Sequence, residues 1–187
     1  RYSTFGLLQP LLPSYAGLPI YQDLSFKLNF PTKYGSISVW GIGALDNMKK
    51  LQVRDSSKWE NENSRSGLDW QLSMGAAGIT NKLFLGKKTY INTTIAASGT
   101  LNQLGMKRLD DNLIARPNWF FVDNSGKIVI SSFINHKFSA RHTVKAGINY
   151  HTLFYNLDLN STINNVPETY QNFVKENGKS SFSEFFI

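Results

Sequence analysis

Four polar residues near one predicted turn carry the side-chain types of a hydrolase. Asn135, His136, Ser139 and His142 supply an amide, a hydroxyl and two imidazoles, which are the groups of a serine–histidine–asparagine arrangement. Their positions in the predicted strands do not place a serine hydroxyl next to a histidine base, and the sequence contains no GxSxG elbow. We therefore predict that the protein has no catalytic site and is not an enzyme.

Acidic and amide side chains in two short stretches could offer oxygen ligands to calcium. Asp110, Asp111 and Asn112 are consecutive, and Asp123 and Asn124 follow later in the chain. Their spacing is not that of an EF-hand loop, so a solvated acidic loop is the favoured interpretation. The absence of cysteine excludes a thiolate metal site and a CxxC redox pair. The sequence predicts no metal site and no cofactor.

Aromatic and arginine side chains in the predicted long connections are the candidates for ligand binding. These residue types carry much of the binding energy in known interfaces. The alternative is that they pack the connections against one another. The candidates are Trp59, Arg108, Arg116, Trp119 and Tyr170.

The charge of the chain does not by itself indicate a partner. The 187 residues carry a formal net charge of +7, which could suggest nucleic acid. The lysines and arginines form no tight cluster, and no nucleic-acid-binding motif is recognisable. We therefore predict a mildly basic surface and no nucleic-acid partner.

Alternation of apolar and polar side chains predicts the elements that hold these residues. A period of two is typical of a strand whose sides have different surroundings. In the first such stretch Leu24, Phe26, Leu28 and Phe30 alternate with Asp23, Ser25, Lys27 and Asn29. In the second, Leu68, Trp70, Leu72 and Met74 alternate with Asp69, Gln71 and Ser73. The sequence predicts β-hairpins around residues 20–45, 67–99 and 127–157, within one domain that spans residues 1–187.

The connections between the predicted strands differ in length. The turns near Lys33, Lys87 and Arg141 take a few residues each. The connections Asp46–Ser66, Thr100–Ser125 and Asp158–Ser181 are predicted to be long polar loops, which are usually functional or mobile. Short turns would then lie at one end of the sheet and long loops at the other.

Strand length favours a membrane over water. A soluble β-sandwich or small barrel explains the alternation equally well, but its strands usually have about 5–6 residues. Transmembrane strands need about 9–11 residues, and outer-membrane barrels combine short turns with long loops. We predict that the apolar sides of the strands face lipid and the polar sides face the lumen. Trp40, Trp70, Tyr34, Tyr90 and Tyr150 are then barrel or girdle residues, and His136 and His142 lie at the membrane edge.

The predicted fold class is an all-β, antiparallel, up-and-down transmembrane β-barrel. About six strands can be counted, and Tyr2–Leu8 and Ser181–Ile187 could each contribute part of another. The smallest common closed barrel has about eight strands. We therefore expect the chain to be a contiguous segment, of about six to eight strands, of a larger barrel. A small self-contained outer-membrane barrel with a structural or adhesive role and a soluble β-barrel binding protein are the alternatives.

Three phrases of the sequence resemble one family of membrane proteins. "YQDLSFKLNFPTKYGSISVWGIGALDN" (Tyr21–Asn47), "RLDDNL" (Arg108–Leu113) and "NHKFSARHTVKAGINYHTLFYNL" (Asn135–Leu157) are similar to barrel strands and loops of TonB-dependent outer-membrane receptors. The type that they resemble carries a carboxypeptidase-regulatory-like domain before its plug.

The resemblance implies a function and a set of partners. Receptors of this family have an N-terminal plug inside a 22-stranded barrel and import scarce ligands with energy transmitted by TonB. The chain is then expected in the outer membrane of a Gram-negative bacterium, as part of a transport receptor. Its partners would be outer-membrane lipid, the remainder of the barrel and the plug, the TonB complex and an unidentified imported ligand. Neither a plug domain nor a TonB box is recognisable in these residues.

Overall fold

The computed structural model describes Leu11 and residues 17–187. In this part of the chain seven strands form one antiparallel sheet, and every strand pairs with its neighbours in the sequence. This order confirms the prediction of an all-β, up-and-down barrel segment of six to eight strands. The strands are β1 (Pro19–Thr32), β2 (Gly35–Lys50), β3 (Ser66–Phe84), β4 (Thr89–Leu109), β5 (Ala115–Lys137), β6 (Thr143–Ile163) and β7 (Val166–Phe186).

The strands are long because their interiors are rich in β-branched and aromatic residues and because proline lies only near strand ends. Within the described strands, Pro19 and Pro167 lie at the starts of β1 and β7, Pro31 at the end of β1 and Pro117 near the start of β5. Of the segment Ser181–Ile187, the residues up to Phe186 form the end of β7 and not the start of a further strand. The predicted strand at Tyr2–Leu8 lies outside the described residues.

The connections define two ends of the sheet. At one, the turn end, residues 33–34, 85–88 and 138–142 join the strands. At the other, the loop end, residues 51–65 form a long connection with two short 3-10 helices, Ser56–Lys58 and Glu62–Arg65.

Two of the three predicted long loops are wrong. Most of Thr100–Ser125 and of Asp158–Ser181 is strand, and only residues 110–114 and 164–165 connect β4 to β5 and β6 to β7. Asn164 and Asn165 adopt positive φ angles of 52° and 61°, which is the conformation that a two-residue hairpin requires. The polar residues that suggested loops lie within β4, β5, β6 and β7.

Four glycines lie side by side across the middle of the sheet. Gly43, Gly75, Gly99 and Gly126 are directly opposite one another on β2, β3, β4 and β5. Phe154 on β6 is the next residue in this row, and a Cβ added to Gly126 would lie 2.9 Å from its ring. We call this set the glycine row. It divides the sheet into a turn half and a loop half.

The two faces of the sheet differ in shape. A concavity of about 730 Å³ lies on the face that carries Ala44, Thr100 and Ser125, which we call the concave face. The opposite, convex face carries Ile79 and Ile95, which are 54% and 56% exposed. In the described residues Leu109 is the only apolar side chain that is buried within the sheet. Because the strands form a single layer, neither face of the sheet is covered by another layer of strands in the described residues.

The convex face is apolar in the turn half. One row of directly opposed residues crosses six strands and consists of Leu28, Val39, Ile79, Ile95, Ile130 and Tyr150. The neighbouring rows add Phe26, Ile128, Phe30, Ile37 and Ile148. Thr93 and Ser132 also lie on this face, where their hydroxyl groups hydrogen-bond to each other at 2.9 Å.

In the loop half the polarity of the two faces reverses. Asn47, Gln71 and Gln103 lie in one row on the convex face, whereas Met48, Trp70 and Leu104 lie in one row on the concave face of the same strands. Trp70 and its predicted partners Leu68, Leu72 and Met74 therefore lie on the opposite face from Leu24, Phe26, Leu28 and Phe30. The predicted apolar strand sides therefore do not all lie on one face of the sheet, so they cannot all face lipid together. No helix in the described part is long and apolar enough to cross a membrane.

Candidate ligand-binding face

The concave face of the loop half carries a continuous apolar row. The register places directly opposed residues side by side on β2 to β7: Met48, Trp70, Leu104, Phe121, Leu159 and Val174. All six side chains are half-buried, and each lies directly opposite its neighbours in the row. Leu68, Met106 and Trp119 extend the apolar surface by one more row toward the loop end. We call these nine residues the apolar patch.

Aromatic rings in the apolar patch are held in defined orientations. Trp119 and Phe121, two residues apart on β5, stack with ring centroids 5.6 Å apart and an interplanar angle of 8°. Trp70 donates a hydrogen bond from its indole Nε1 to Asn102 Oδ1 at 2.8 Å. These contacts fix flat apolar surfaces that could contact a ligand with little loss of side-chain freedom.

The next row toward the glycine row brings carboxylates onto the same face. Asp46, Asp123 and Glu176 belong to this row, on β2, β5 and β7, with Leu72 and Asn102 between the first two and Leu157 between the last two. Within the described residues no lysine, arginine or histidine nitrogen lies within ion-pair distance of these three carboxylates. Asp46 Oδ1 is buried and has no hydrogen-bond partner. We call Asp46, Asp123 and Glu176 the acidic row.

The concavity of about 730 Å³ begins directly below the acidic row. Its lining combines the small side chains of Ala44, Ala76 and Ser98 with the larger ones of Ile42, Met74 and Leu153. Asp23 and Lys127 contribute charges to its lining, and Tyr155 contributes a phenol. The apolar patch, the acidic row and this concavity together form one continuous surface on the concave face.

The concave face of the turn half is polar and carries amino groups. Lys82 Nζ lies 4.3 Å from the centre of the Tyr90 ring, and Lys145 Nζ lies 4.0 Å from that of Phe133. The hydroxyls of Thr80 and Thr94 hydrogen-bond at 3.1 Å. Polar pairs on this face, opposite apolar residues on the convex face, are the pattern of a barrel wall between lumen and lipid.

A histidine–glutamate pair belongs to this polar surface. His151 is buried, stacks on Phe182 and has Nε2 3.2 Å from Glu184 Oε2. His151 Nδ1 has no hydrogen-bond partner. The pair joins β6 to β7. Within the described residues no hydroxyl nucleophile hydrogen-bonds to either side chain.

The predicted binding residues lie in different places. Trp59 is in the long connection, where its indole donates to Val53 O at 2.6 Å and the Arg65 guanidinium lies 5.1 Å from its ring centre. Arg108 lies in β4, Arg116 and Trp119 in β5 and Tyr170 in β7, so the prediction that these four lie in long loops is wrong. The strands extend further toward the loop end than the sequence indicates.

The arginines hold the loop end together. Arg108 pairs with Glu62 of the long connection, and Arg116 Nε lies 3.2 Å from Asp110 Oδ2. Both arginines line a second concavity of about 490 Å³ together with residues of the 164–165 turn. Of the five predicted residues only Trp119 belongs to the apolar patch. Whether any of them binds a ligand stays a prediction.

The residues considered for calcium and for hydrolysis have structural contacts. Asp110 accepts hydrogen bonds from the backbone N–H groups of Asn112 and Ile114. The backbone N–H of Ile114 and the Arg116 guanidinium hold the pKa of the Asp110 carboxyl below its usual value. Ser139 Oγ accepts from two backbone N–H groups of its own turn, and His136 Nδ1 lies 2.6 Å from Thr89 Oγ1. In residue 11 and residues 17–187, no three acidic or histidine side chains are placed to hold a metal ion.

Sequence reasoning did not find the apolar patch. It assigned Trp70 to the barrel or girdle and considered Asp123 for calcium. The signal that could have shown the patch is a switch of the apolar residues from odd-numbered to even-numbered positions along one strand. In β5 the odd-numbered residues Trp119 and Phe121 are apolar before Gly126, whereas the even-numbered Ile128 and Ile130 are apolar after it.

These features define a piece of antiparallel β-barrel wall whose concave face carries a candidate binding surface. The fold is similar to part of the crystal structure of the ferric yersiniabactin uptake receptor FyuA from Yersinia pestis, with a TM-score of 0.54 and 6% sequence identity. The similarity covers 91% of this chain and 26% of the receptor chain. At this identity it concerns the fold alone. No protein-family model and no curated protein matches the sequence.

Proposed function

We propose that these residues form part of the wall of a TonB-dependent outer-membrane receptor that imports a ligand into a Gram-negative bacterium. The observation that carries the proposal is the exposed apolar convex face of the turn half. Contiguous apolar surface of this extent is unusual on a protein in water and is expected where a barrel meets hydrocarbon. The polar, lysine-bearing concave face of the same strands suits a lumen.

Dimensions support the same assignment. Every strand from β1 to β7 has at least 14 residues, more than the roughly 9–11 that cross a bilayer. The strands therefore extend beyond the hydrocarbon on one side. The polar convex face of the loop half is consistent with that part standing in water outside the cell.

The proposal includes the rest of a larger receptor. β1 and β7 each present an unpaired edge in the described sheet, and backbone groups at membrane depth must be paired. Further strands would close the barrel, a plug would occupy its lumen and the TonB complex would supply energy. The similarity to about a quarter of the length of an uptake receptor supports this arrangement. A type with a carboxypeptidase-regulatory-like domain remains part of the proposal.

Cysteine labelling on whole cells tests the orientation. The chain has no cysteine, so Glu60→Cys in the long connection and Lys87→Cys in a turn at the opposite end can each introduce a labelling site. With the complete receptor, a membrane-impermeant maleimide should label Glu60→Cys on intact cells. Lys87→Cys should react only after the outer membrane is permeabilised. If only Lys87→Cys is labelled on intact cells, the orientation is the opposite of the one proposed. If both variants are labelled and the protein is not found in the membrane fraction, the proposed function is refuted.

A further inference from the structure

We infer that the concave face of the loop half binds an amphiphilic cation: an amine or guanidinium joined by a short chain to an aromatic or aliphatic group. This inference rests on the proposed function, which makes the concave face the interior of a barrel open to the outside. It names the chemistry of the ligand that the apolar patch and the acidic row would recognise together.

The apolar part of the ligand is specified by the apolar patch. Trp70, Trp119 and Phe121 present ring surface on one face, and their contacts with Asn102 and with each other hold that surface in place. Within residues 17–187 no second layer of strands packs over these rings, since the seven strands form a single sheet. A flat or branched apolar group could therefore stack there and remove the exposed part of the rings from water.

The charge of the ligand is specified by the acidic row. Asp123 follows Phe121 on the same face of β5, and Asp46 and Glu176 lie in the same row. None of the three has a basic partner within ion-pair distance in the described residues, so their negative charges lie unpaired beside the apolar rings. A cation placed there gains attraction, whereas an anion is repelled. Asp46 Oδ1 is buried and has no hydrogen-bond partner, so no donor in the described residues offsets its negative charge.

The spacing limits the length of the ligand. Successive residues on one face of a strand are about 6.8 Å apart, so the Asp123 carboxylate lies one such step from the Trp119–Phe121 stack. A chain of two or three atoms between ring and amine spans this step. Lys27, Lys82, Lys127 and Lys145 follow on the concave face toward the turn end. Their positive charge would hold a cation at the acidic row and oppose its further movement.

Three indole compounds of different charge test the inference. Tryptamine is a cation, tryptophol is neutral and indole-3-acetate is an anion at neutral pH. Binding of each to the purified full-length receptor in detergent is measured by isothermal titration calorimetry at low salt. We expect tryptamine to bind about tenfold more tightly than tryptophol, which corresponds to about 1.4 kcal/mol. Indole-3-acetate should bind more weakly than both.

Variants separate the two parts of the surface. Asp123→Asn keeps the shape and removes the charge, so tryptamine affinity should fall about tenfold while tryptophol affinity stays unchanged. Asp69→Asn is the matched control, because Asp69 lies on the convex face of β3 in an exposed pair with Lys49. Trp119→Ala should weaken tryptamine and tryptophol alike. Thermal unfolding of each variant shows whether the fold is retained.

The outcomes distinguish this inference from the proposed function. Equal affinity for the three compounds, or loss of tryptamine binding in Asp69→Asn to the same degree as in Asp123→Asn, would overturn the inference. If the cysteine labels still show the expected orientation in that case, the receptor assignment stands and only the ligand class is wrong. If Asp123→Asn unfolds, Glu176→Gln provides a second test of the acidic row, with the same expected loss of tryptamine affinity.

Discussion

Arginine substitutions at two aliphatic residues of β4 can show where a lipid-facing band ends. Ile95 and Leu101 both lie on the convex face and are 56% and 42% exposed. Ile95 is on the turn side of Gly99, between Ile79 and Ile130, whereas Leu101 is on the loop side, between Ser73 and Asn124. In a soluble protein both arginines would stand in water and cost little. In a membrane only Ile95→Arg places a charge in hydrocarbon.

The expected magnitude follows from the depth of each residue. From Tyr90 to Gly99, β4 advances about 31 Å along its axis at about 3.4 Å per residue. At a tilt of about 40° this is a depth of about 23 Å, close to the apolar band of about 25 Å in outer-membrane barrels. Ile95 then lies about 10 Å below the glycine row, near the midplane, and Leu101 about 5 Å above the row. Ile95→Arg should cost about 2–4 kcal/mol and Leu101→Arg about 0–1 kcal/mol.

The assay is a denaturant titration of the complete receptor in phospholipid vesicles, with the free energy of unfolding compared between each variant and the parent. Ile95→Trp serves as the control for size, because lipid accommodates a larger apolar ring whereas a packed protein contact would be strained by about 1–3 kcal/mol. Equal costs for Ile95→Arg and Leu101→Arg would refute the boundary at the glycine row. A cost for Ile95→Trp as large as that for Ile95→Arg would show that protein covers this face.

Two further predictions concern the local structure. Gly126→Ala should destabilise the folded protein by about 1 kcal/mol, because its Cβ would lie 2.9 Å from the Phe154 ring. Gly43→Ala should be nearly neutral, because its Cβ would meet no atom closer than 3.7 Å. Chemical denaturation measures both variants, and equal losses of stability would contradict the crowding at Gly126. The lowered pKa of Asp110 means that its stabilisation of the 110–114 turn is fully present above the unfolded value of 3.8 and is lost as pH falls through the folded value. Amide hydrogen exchange at Ile114 should therefore lose protection in acid, after correction for the intrinsic pH dependence of exchange, and Asp110→Ala should remove this pH dependence.

Much of the secondary structure could be predicted from side-chain alternation. Leu24 to Phe30 and Leu68 to Met74 each show a period of two, and both stretches lie in strands. A period of two shows that a strand has two different sides, but it does not show which side faces outward. Register with neighbouring strands places Phe26 on the convex face and Trp70 on the concave face. The sequence alone could not distinguish these orientations.

The extent of the strands was harder to predict for the same reason. Polar residues such as Gln103, Asn124 and Asp158 resemble loop residues when one lipid-facing side is assumed for the whole strand. In the sheet they lie in the loop half, where the polarity of the two faces is reversed. The prediction of long loops over Thr100–Ser125 and Asp158–Ser181 therefore failed.

The sequence by itself determined the strand-forming segments, the turns and the absence of thiol chemistry, because these depend on residue type and on neighbours along the chain. Only the tertiary structure decided which residues meet. Gly43, Gly75, Gly99 and Gly126 come from four strands and form one row only because the hydrogen-bond register aligns them. The same register brings the apolar patch and the acidic row together on one face. Such a surface depends on pairings between distant segments, and no local pattern along the chain contains that information.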